Sequence, residues 1–559
     1  MSLTDTSPSS PLSPSGPSPA PVPDWEDLLT TALLGTDRRP FTGADGASGP
    51  GALLDEAALR TVRRRAGLVP AAAAPLPVPV PPETRPPLPE AARRRLGQLL
   101  GARGDQRGGA PDLAELLPQW LERAHAHGYA PPPEHLPALL DAARGRTDLR
   151  PAVLGFAGVR GRWLAEQNRE WSFVRRTAVA PPVREEAPGT RGDEERLWGE
   201  GLFAERVALL ARVRAADPAR ALALLGTTWA KERAEDRLLF LDSLRPGLGA
   251  HDEAFLEAAL DDRSRNVRAL AAELLSSLTD SAFAARMAER ARACVGPGAG
   301  DGAAADTAAV DGDAAAGAIV VDAPRACDAA MEHDGVVAKP PSGRGERAWW
   351  FGQVVDAAPL AVWREHFGGA SPAELVARPV AGGWREELHA AWCRAAVRQG
   401  DAEWSRALLG SPAGGEHGAT ALAERARLLA ALPAGERAAW VAGFLAANGL
   451  SEAFQLLSGC ATPWPAELGR AVVDALNIAR DAGSYPWSFS GVMGLAERCL
   501  DPAEAPHLEK LIGSFEEHED TGPAAGLYWT DVFHRLLATL RLRAEMRAEL
   551  DGEPPAGNA

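Results

Sequence analysis

The sequence predicts an all-α chain, an α-solenoid of stacked helix pairs in two halves. Three observations point there. Apolar residues recur at helical spacing through most of the 559 residues, and short Gly/Pro breaks separate the runs. Alternating β-branched runs are almost absent, apart from Ile319-Val320-Val321. The two-helix plan of DEAFLEAALDDRSRNVRALAAELLSSL (252–278) follows a similar plan in ARALALLGTTWAKERAEDRLLFLDSL, where Leu241 and Leu244 stand 34 residues before Leu275 and Leu278. Helix pairs at such a period bury their apolar faces only by stacking on neighbours.

In chain order, residues 1–23 are Ser/Pro-rich with one charge and are expected to be a disordered tail. They lack a Lys/Arg start and an apolar core, so they do not read as a signal peptide. Residues 24–193 form an N-terminal helical region. Asp24 is its expected N-cap, and Trp25, Leu28, Leu29, Ala32 and Leu33 follow at helical spacing up to Gly35, a natural C-cap residue. A Pro-rich linker, 70–89, should be extended between two arginine-rich helices. Residues 90–100, 112–127 and 134–144 read as short helices. The Trp-rich text around 163–174 packs a helix end, and 180–193 is a loop.

Regular helical repeats occupy 194–295, with helices expected at 194–215, 218–230, 232–245, 252–261 and 264–278. A low-complexity linker follows at 296–345, and its Gly/Ala/Asp stretch 296–317 is expected to be flexible. The C-terminal helical region spans 346–550. Its helices are expected at 347–357, 359–367, 371–377, 384–399, 401–409 and 418–431. They continue at 434–447, 450–459, 464–482, 488–499, 504–517 and 524–550. Residues 551–559 are a second disordered tail.

Charge narrows the function classes. The net charge is −16, which disfavours general nucleic-acid binding because phosphate backbones are repelled. Nine arginines against four acids within 55–103 read mainly as solvated helix faces. Only three of the 59 basic residues are lysines, Lys231, Lys339 and Lys510. Five scattered cysteines form no CxxC pair, so reduced, mostly buried thiols and a cytoplasmic location are expected. No apolar run reaches the ~18 residues of a membrane span.

The residues offer no catalytic, cofactor-binding or metal-binding candidate. There is no G-x-x-x-x-G-K-[ST] loop and no G-x-S-x-G elbow; Ser490 in WSFSGVMG lacks the leading glycine. His125 and His127 diverge by roughly 200° on a helix and cannot share a metal. The acidic run 516–520 reads as a solvated loop. Asp311, Asp313 and Asp322 match calcium-loop spacing, but Ala316 stands where glycine is needed. The many tryptophans of the second half read as interhelical packing. Candidate partner contacts are Thr36, Asp37, Arg38 and Arg39, in a turn where Arg38 can engage a carboxylate or phosphate. The simpler account of that turn is a capped helix end.

Two resemblances accompany this. In 252–278, Asp262 lies six residues before Arg268, which follows Val267. This resembles a HEAT repeat, whose turn aspartate and helix arginine link adjacent repeats in a polar ladder; the usual proline of the first helix is missing near Ala254. The stretch WEDLLTTALLGTDRRP, with Ala32, Leu33, Leu34, Gly35, Thr36, Asp37, Arg38 and Pro40, resembles the opening of the bacterial domain-of-unknown-function family 5691, and RAWWFGQVVDAAPLAVWREHFGGASPAELV resembles its middle segment. The resemblance implies partners from its usual genomic neighbourhood: a MoxR-type AAA+ ATPase, a von Willebrand A protein and a SWIM zinc-finger protein. It assigns no catalytic residue. The function expected is therefore a non-enzymatic helical-repeat scaffold or adaptor. The alternatives are a nucleic-acid-binding HEAT-like protein and an enzyme whose site assembles only in three dimensions.

Overall fold

The computed structural model describes residues 25–43, 45–66, 77–101, 112–176, 190–298, 317–414, 421–516 and 525–552. The tail 1–23, Asp24, much of the 70–89 linker, almost all of 296–317, the acidic run beyond 516 and residues 553–559 lie outside them. The chain folds as an all-α helical repeat protein in two units, 1–81 and 82–559. In the first, α1 (Trp25–Leu34) and α2 (Pro50–Ala66) enclose a small core of Leu28, Phe41, Ala52 and Leu53. Arg64 sits over the Trp25 ring at 5.0 Å.

The second unit opens with α3 (Glu90–Gly101), α4 (Leu113–Ala126), α5 (Leu136–Gly145), α6 (Arg150–Glu166) and the short α7 (Phe173–Arg176). Trp120 of α4 meets Phe156 of α6 edge to face at 5.9 Å in their shared core. Helix α6 was not expected from the sequence, because Pro151, Gly155, Gly158 and Gly161 dilute its pattern. Gly158 takes φ +59° and kinks the helix. A Cβ there would stand 2.7 Å from Arg85 Nη2. Arg85 Nη1 donates to the Phe156 carbonyl at 2.9 Å, while Glu83 holds the rest of the guanidinium.

The repeats follow as α8 (Thr190–Glu200), α9 (Phe203–Ala216), α10 (Pro218–Gly226), α11 (Ala234–Asp242), α12 (Glu253–Ala259), α13 (Arg265–Leu275) and α14 (Ala282–Cys294). The helix expected at 194–215 is two. The chain breaks at Gly201, where a Cβ would come within 2.4 Å of the Leu197 carbonyl oxygen. Helices α9, α11 and α13 begin at residues 203, 234 and 265, a period of 31 rather than 34. The three-residue difference is nearly one helical turn, so either register puts leucines on the buried face. Polar residues separate the registers: Arg206, Arg237 and Arg268 recur at the shorter period.

Arg206 pairs with Glu232 and lies 4.6 Å over the Trp198 ring; Arg237 donates to Asp262 at 3.1 Å and lies 5.7 Å over Trp229. Arg268 donates to the backbone oxygen of Asp262 at 2.7 Å, as Arg237 does to that of Glu232 at 3.0 Å. Asp262 also accepts from the Ser264 N–H at 2.7 Å, and Val267 is fully buried. One buried pair locks this stack. Arg214 and Asp252 have no exposed side-chain surface and bond in a fork, both contacts 2.7 Å. Arg214 also donates to the carbonyls of Leu244, Pro246 and Gly247.

Part of the segment expected to be a linker is packed. Strands β1 (Val295–Pro297) and β2 (Ile319–Val321) pair antiparallel, and α15 (Ala329–His333) follows. Ile319, Ala323, Met331 and Val336 are buried, and Asp334 accepts from Arg286 and Arg290 at 2.8 and 2.6 Å. The hydrophobic core runs unbroken beneath this segment from Trp198 to Leu540. It continues through α16 (Glu346–Ala357), α17 (Ala361–His366), α18 (Pro372–Ala377), α19 (Arg385–Gln399), α20 (Ala402–Leu409), α21 (Leu422–Ala430) and α22 (Ala434–Asn448). Then come α23 (Phe454–Ser458), α24 (Ala466–Asp481), α25 (Ser490–Cys499), α26 (Ala505–Glu516) and α27 (Ala525–Asp551). Trp363, Trp392 and Trp404 touch in series at 5.9 and 5.0 Å, so these rings pack helix on helix.

Helix α27 ends far from its sequence neighbours. Met546 and Leu550 complete the core of α3 to α6, and the Tyr129 hydroxyl donates to the Leu550 carbonyl at 2.9 Å. Arg95 pairs with Glu549 and Glu545 at 2.7 and 3.1 Å, and Arg123 with Asp551 at 3.1 Å.

Two outcomes follow for stability. Asp252→Ala leaves Arg214 as a buried, uncompensated charge and should cost about 3–5 kcal/mol, read as a lower denaturation midpoint; an unchanged midpoint would show the pair to be dispensable. The side-chain bond from Arg85 holds the Glu83 carboxyl down from 4.5 to about 2. A lowered folded-state value means its contribution is complete above about pH 4.5 and lost as pH falls towards about 2. Glu83→Gln should therefore flatten the acid limb of a thermal-stability profile over that window and leave its alkaline side unchanged.

Candidate functional site

Aromatic burial in this chain has a local exception. Trp120, Trp363, Trp392, Trp464 and Trp529 are fully buried, yet Tyr485, Trp487 and Tyr528 are 42, 59 and 54% exposed. The three rings form one stack. Tyr485 and Trp487 lie face to face at 4.3 Å and 14°, and Tyr528 meets Trp487 edge on at 5.6 Å and 71°.

The local sequence explains the exposure. Gly483, at φ +75°, ends α24, and Tyr485 precedes a 3-10 turn, Pro486–Phe489, that leads into α25. Pro486 is buried and anchors the turn, which leaves its neighbours on either side turned outward. On α27, Trp529, Phe533, Leu536 and Leu540 recur at helical spacing and are buried. Tyr528, Asp531, Val532 and Arg535 occupy the opposite stripe. The Trp529 indole donates to the Ser484 carbonyl at 2.7 Å, which fixes the Tyr485 turn beside α27.

Beside the stack is a groove of about 570 Å³ between the start of α4, α25 and α27. Met493 and Gly494 lie along it. A Cβ on Gly494 would meet nothing closer than Arg498 Nη1 at 4.0 Å, so this glycine leaves open space. Arg498 pairs with Glu115 at 3.2 Å and Arg535 with Glu497 at 2.9 Å. Gln119 donates to the Arg498 carbonyl at 2.7 Å, which ties α4 to α25. Asp112 and Asp531 also line the groove, so its carboxylates outnumber its arginines by two. Ser490 opens α25 at the groove, and no histidine lines it. Among the described residues, no group of three or more His, Cys, Asp or Glu is placed to hold a metal ion. No helix among them is long and apolar enough to cross a membrane.

Arg543 supports this arrangement from beneath. It is buried and donates to the carbonyls of Leu500 and Glu497 at 2.5 and 3.2 Å, at the C-terminal end of α25. Burial pushes its guanidinium down to about 10, still protonated at neutral pH.

The residues singled out in the sequence lie elsewhere. Thr36, Asp37, Arg38 and Arg39 form the turn after α1, where Gly35 takes φ +82°. The backbone N–H groups of Arg38 and Arg39 donate to the Gly35 carbonyl, and Arg39 pairs with Asp27 at 2.9 Å. Asp37 and Arg38 are exposed. Asp262, Val267 and Arg268 sit inside the repeat stack described above. In the arginine-rich stretch, Arg85, Arg93, Arg94 and Arg95 pair with Glu83, Glu134, Glu90 and Glu549. His125 lies against Gly155, whereas His127 pairs with Asp551 at 3.1 Å. Burial raises the thiols of Cys294 and Cys460 to about 11 and that of Cys393 further, so these are protonated and unreactive at neutral pH.

Sequence reasoning missed Tyr485, Trp487 and Tyr528. A partial signal was available: Tyr485, one of the chain's three tyrosines, and Trp487 fall in the non-helical gap GSYPWSFS, outside any apolar stripe.

The model of a family of unknown function (DUF5691) matches residues 27–550, and the chain belongs to that family. No curated protein and no solved structure matches it.

Arg543→Met should leave two carbonyls at the end of α25 without their donor and cost about 1–3 kcal/mol. Faster hydrogen exchange over 490–500 would accompany the loss. Unchanged exchange there would show that Arg543 does not hold α25 to α27.

Proposed function

We propose that this member of DUF5691 is a non-enzymatic helical-repeat adaptor that docks protein partners in the groove beside Tyr485, Trp487 and Tyr528. One observation carries the reading: three clustered rings stand exposed at an open groove, whereas every other Trp and Tyr among the described residues is buried or half-buried. Exposed aromatic clusters rimmed by polar groups mark interaction sites, because Trp and Tyr supply contact area at low entropic cost. The groove's two arginine–glutamate pairs and its further carboxylates give the polar rim such a docking surface carries.

The arginine-rich stretch supports the same reading over nucleic-acid binding, since its described arginines in the second unit, Arg85, Arg93, Arg94 and Arg95, are each engaged by a glutamate. The partners to test first are those implied by the family resemblance, a MoxR-type AAA+ ATPase, a von Willebrand A protein and a SWIM zinc-finger protein. The exposed turn at Asp37 and Arg38 is a second candidate contact for them. A cytoplasmic setting, where thiols stay reduced, fits this role.

Affinity purification of the tagged chain from its native cells tests the proposal. The ATPase or the von Willebrand A protein should co-purify, and Trp487→Ala should reduce that recovery at least fivefold while Arg38→Ala sets the contribution of the turn. Equal recovery with Trp487→Ala would remove the groove from the account.

A further inference from the structure

We infer that the groove receives a cationic side chain, an arginine on an extended segment of the partner protein. The inference rests on the groove's being a docking surface and adds the chemistry of what enters it. Three features of the site converge on a guanidinium.

The first is the exposed π surface. The flat Tyr485–Trp487 stack and the Tyr528 ring present faces and edges to solvent. The faces of Trp and Tyr attract cations, Trp most strongly. This chain meets that demand repeatedly with its own arginines: Arg206 over Trp198 at 4.6 Å, Arg64 over Trp25 at 5.0 Å, Arg344 over Trp349 at 5.6 Å. Among the described residues, no arginine of the chain takes that place over Tyr485, Trp487 or Tyr528.

The second is charge. Asp531 stands three residues after Tyr528, on the same face of α27, so carboxylate and ring are neighbours. The two arginines of the groove are already bonded to Glu115 and Glu497, so they do not neutralise Asp531. An incoming cation finds a carboxylate beside a ring, and an incoming acid finds none of the groove's arginines free of a carboxylate.

The third is room. A groove of about 570 Å³ takes a long side chain with its flanking backbone, and Gly494 keeps it open. A planar guanidinium can stack on a ring while its N–H fork reaches a carboxylate, which the compact ammonium of lysine cannot do equally.

Saturation-transfer NMR on the full chain, with acetylated Gly-Arg-Gly amide as the probe, tests this. The arginine peptide should bind, the lysine peptide more weakly, and Gly-Glu-Gly not at all. Asp531→Asn should weaken the arginine peptide at least threefold and Trp487→Ala at least tenfold. Gly494→Leu should abolish binding without lowering the melting temperature, since leucine favours a helix over glycine and its side chain enters open space. The inference is overturned if the glutamate peptide binds as well as the arginine peptide, or if Asp531→Asn and Trp487→Ala both bind like the parent. Partner recovery separates the two levels. Recovery lost with Trp487→Ala but unaffected by Asp531→Asn keeps the docking surface and removes the cationic ligand; recovery unaffected by either removes both.

Discussion

The second unit depends on one helix being two things along its length. Helix α27 runs 27 residues, about 40 Å at 1.5 Å per residue. Its first turns bury Trp529 and Phe533 in the large core, and its last bury Met546 and Leu550 in the core of α3 to α6. The groove exists because of that span. Glu115 and Trp487 are separated by more than three hundred residues of sequence, and α27 brings their helices side by side. The helices that precede the repeats in sequence are closed by the element that follows them. The ion pairs of Arg95 and Arg123 decorate this junction, but the burial of Leu550 and Met546 is the larger driving force.

Arginine is the second recurring device. Its fork satisfies helix-end carbonyls that would otherwise be buried without donors. Arg214 reaches four carbonyls besides Asp252, Arg437 reaches those of Leu429, Ala430, Leu432 and Gly459, and Arg543 two more. Lysine's three donors sit on one nitrogen, so it cannot span carbonyls as far apart as the planar fork does. The preference for arginine over lysine thus has a structural use in a fold made of many short helices.

Much of the fold was legible in the sequence because short helices announce themselves by an apolar stripe ended by Gly or Pro. The boundaries of α16 to α27 lie within a few residues of the pattern. Helix α6 was hidden because its glycines, which kink it at Gly158 and pack closely against Arg85 and His125, read in the sequence as helix ends. The repeat period was misjudged because leucine stripes are blind to a shift of nearly one turn, whereas Arg206, Arg237 and Arg268 are not. The candidate site was legible only as two aromatic residues in the gap between helices, Tyr485 and Trp487. It is assembled from α4, α25 and α27, and exposure of Trp487 is a property of the turn anchored by Pro486, which no periodicity encodes.

The account stands on α27 holding α3 to α6 in place. Hydrogen exchange on a Met546→Ala/Leu550→Ala chain measures this directly. The account predicts that protection collapses over 113–126 and 150–166 while helices 385–399 and 434–448 keep theirs. Unchanged protection over 113–126 would contradict it, since those helices would then be stable without the end of α27.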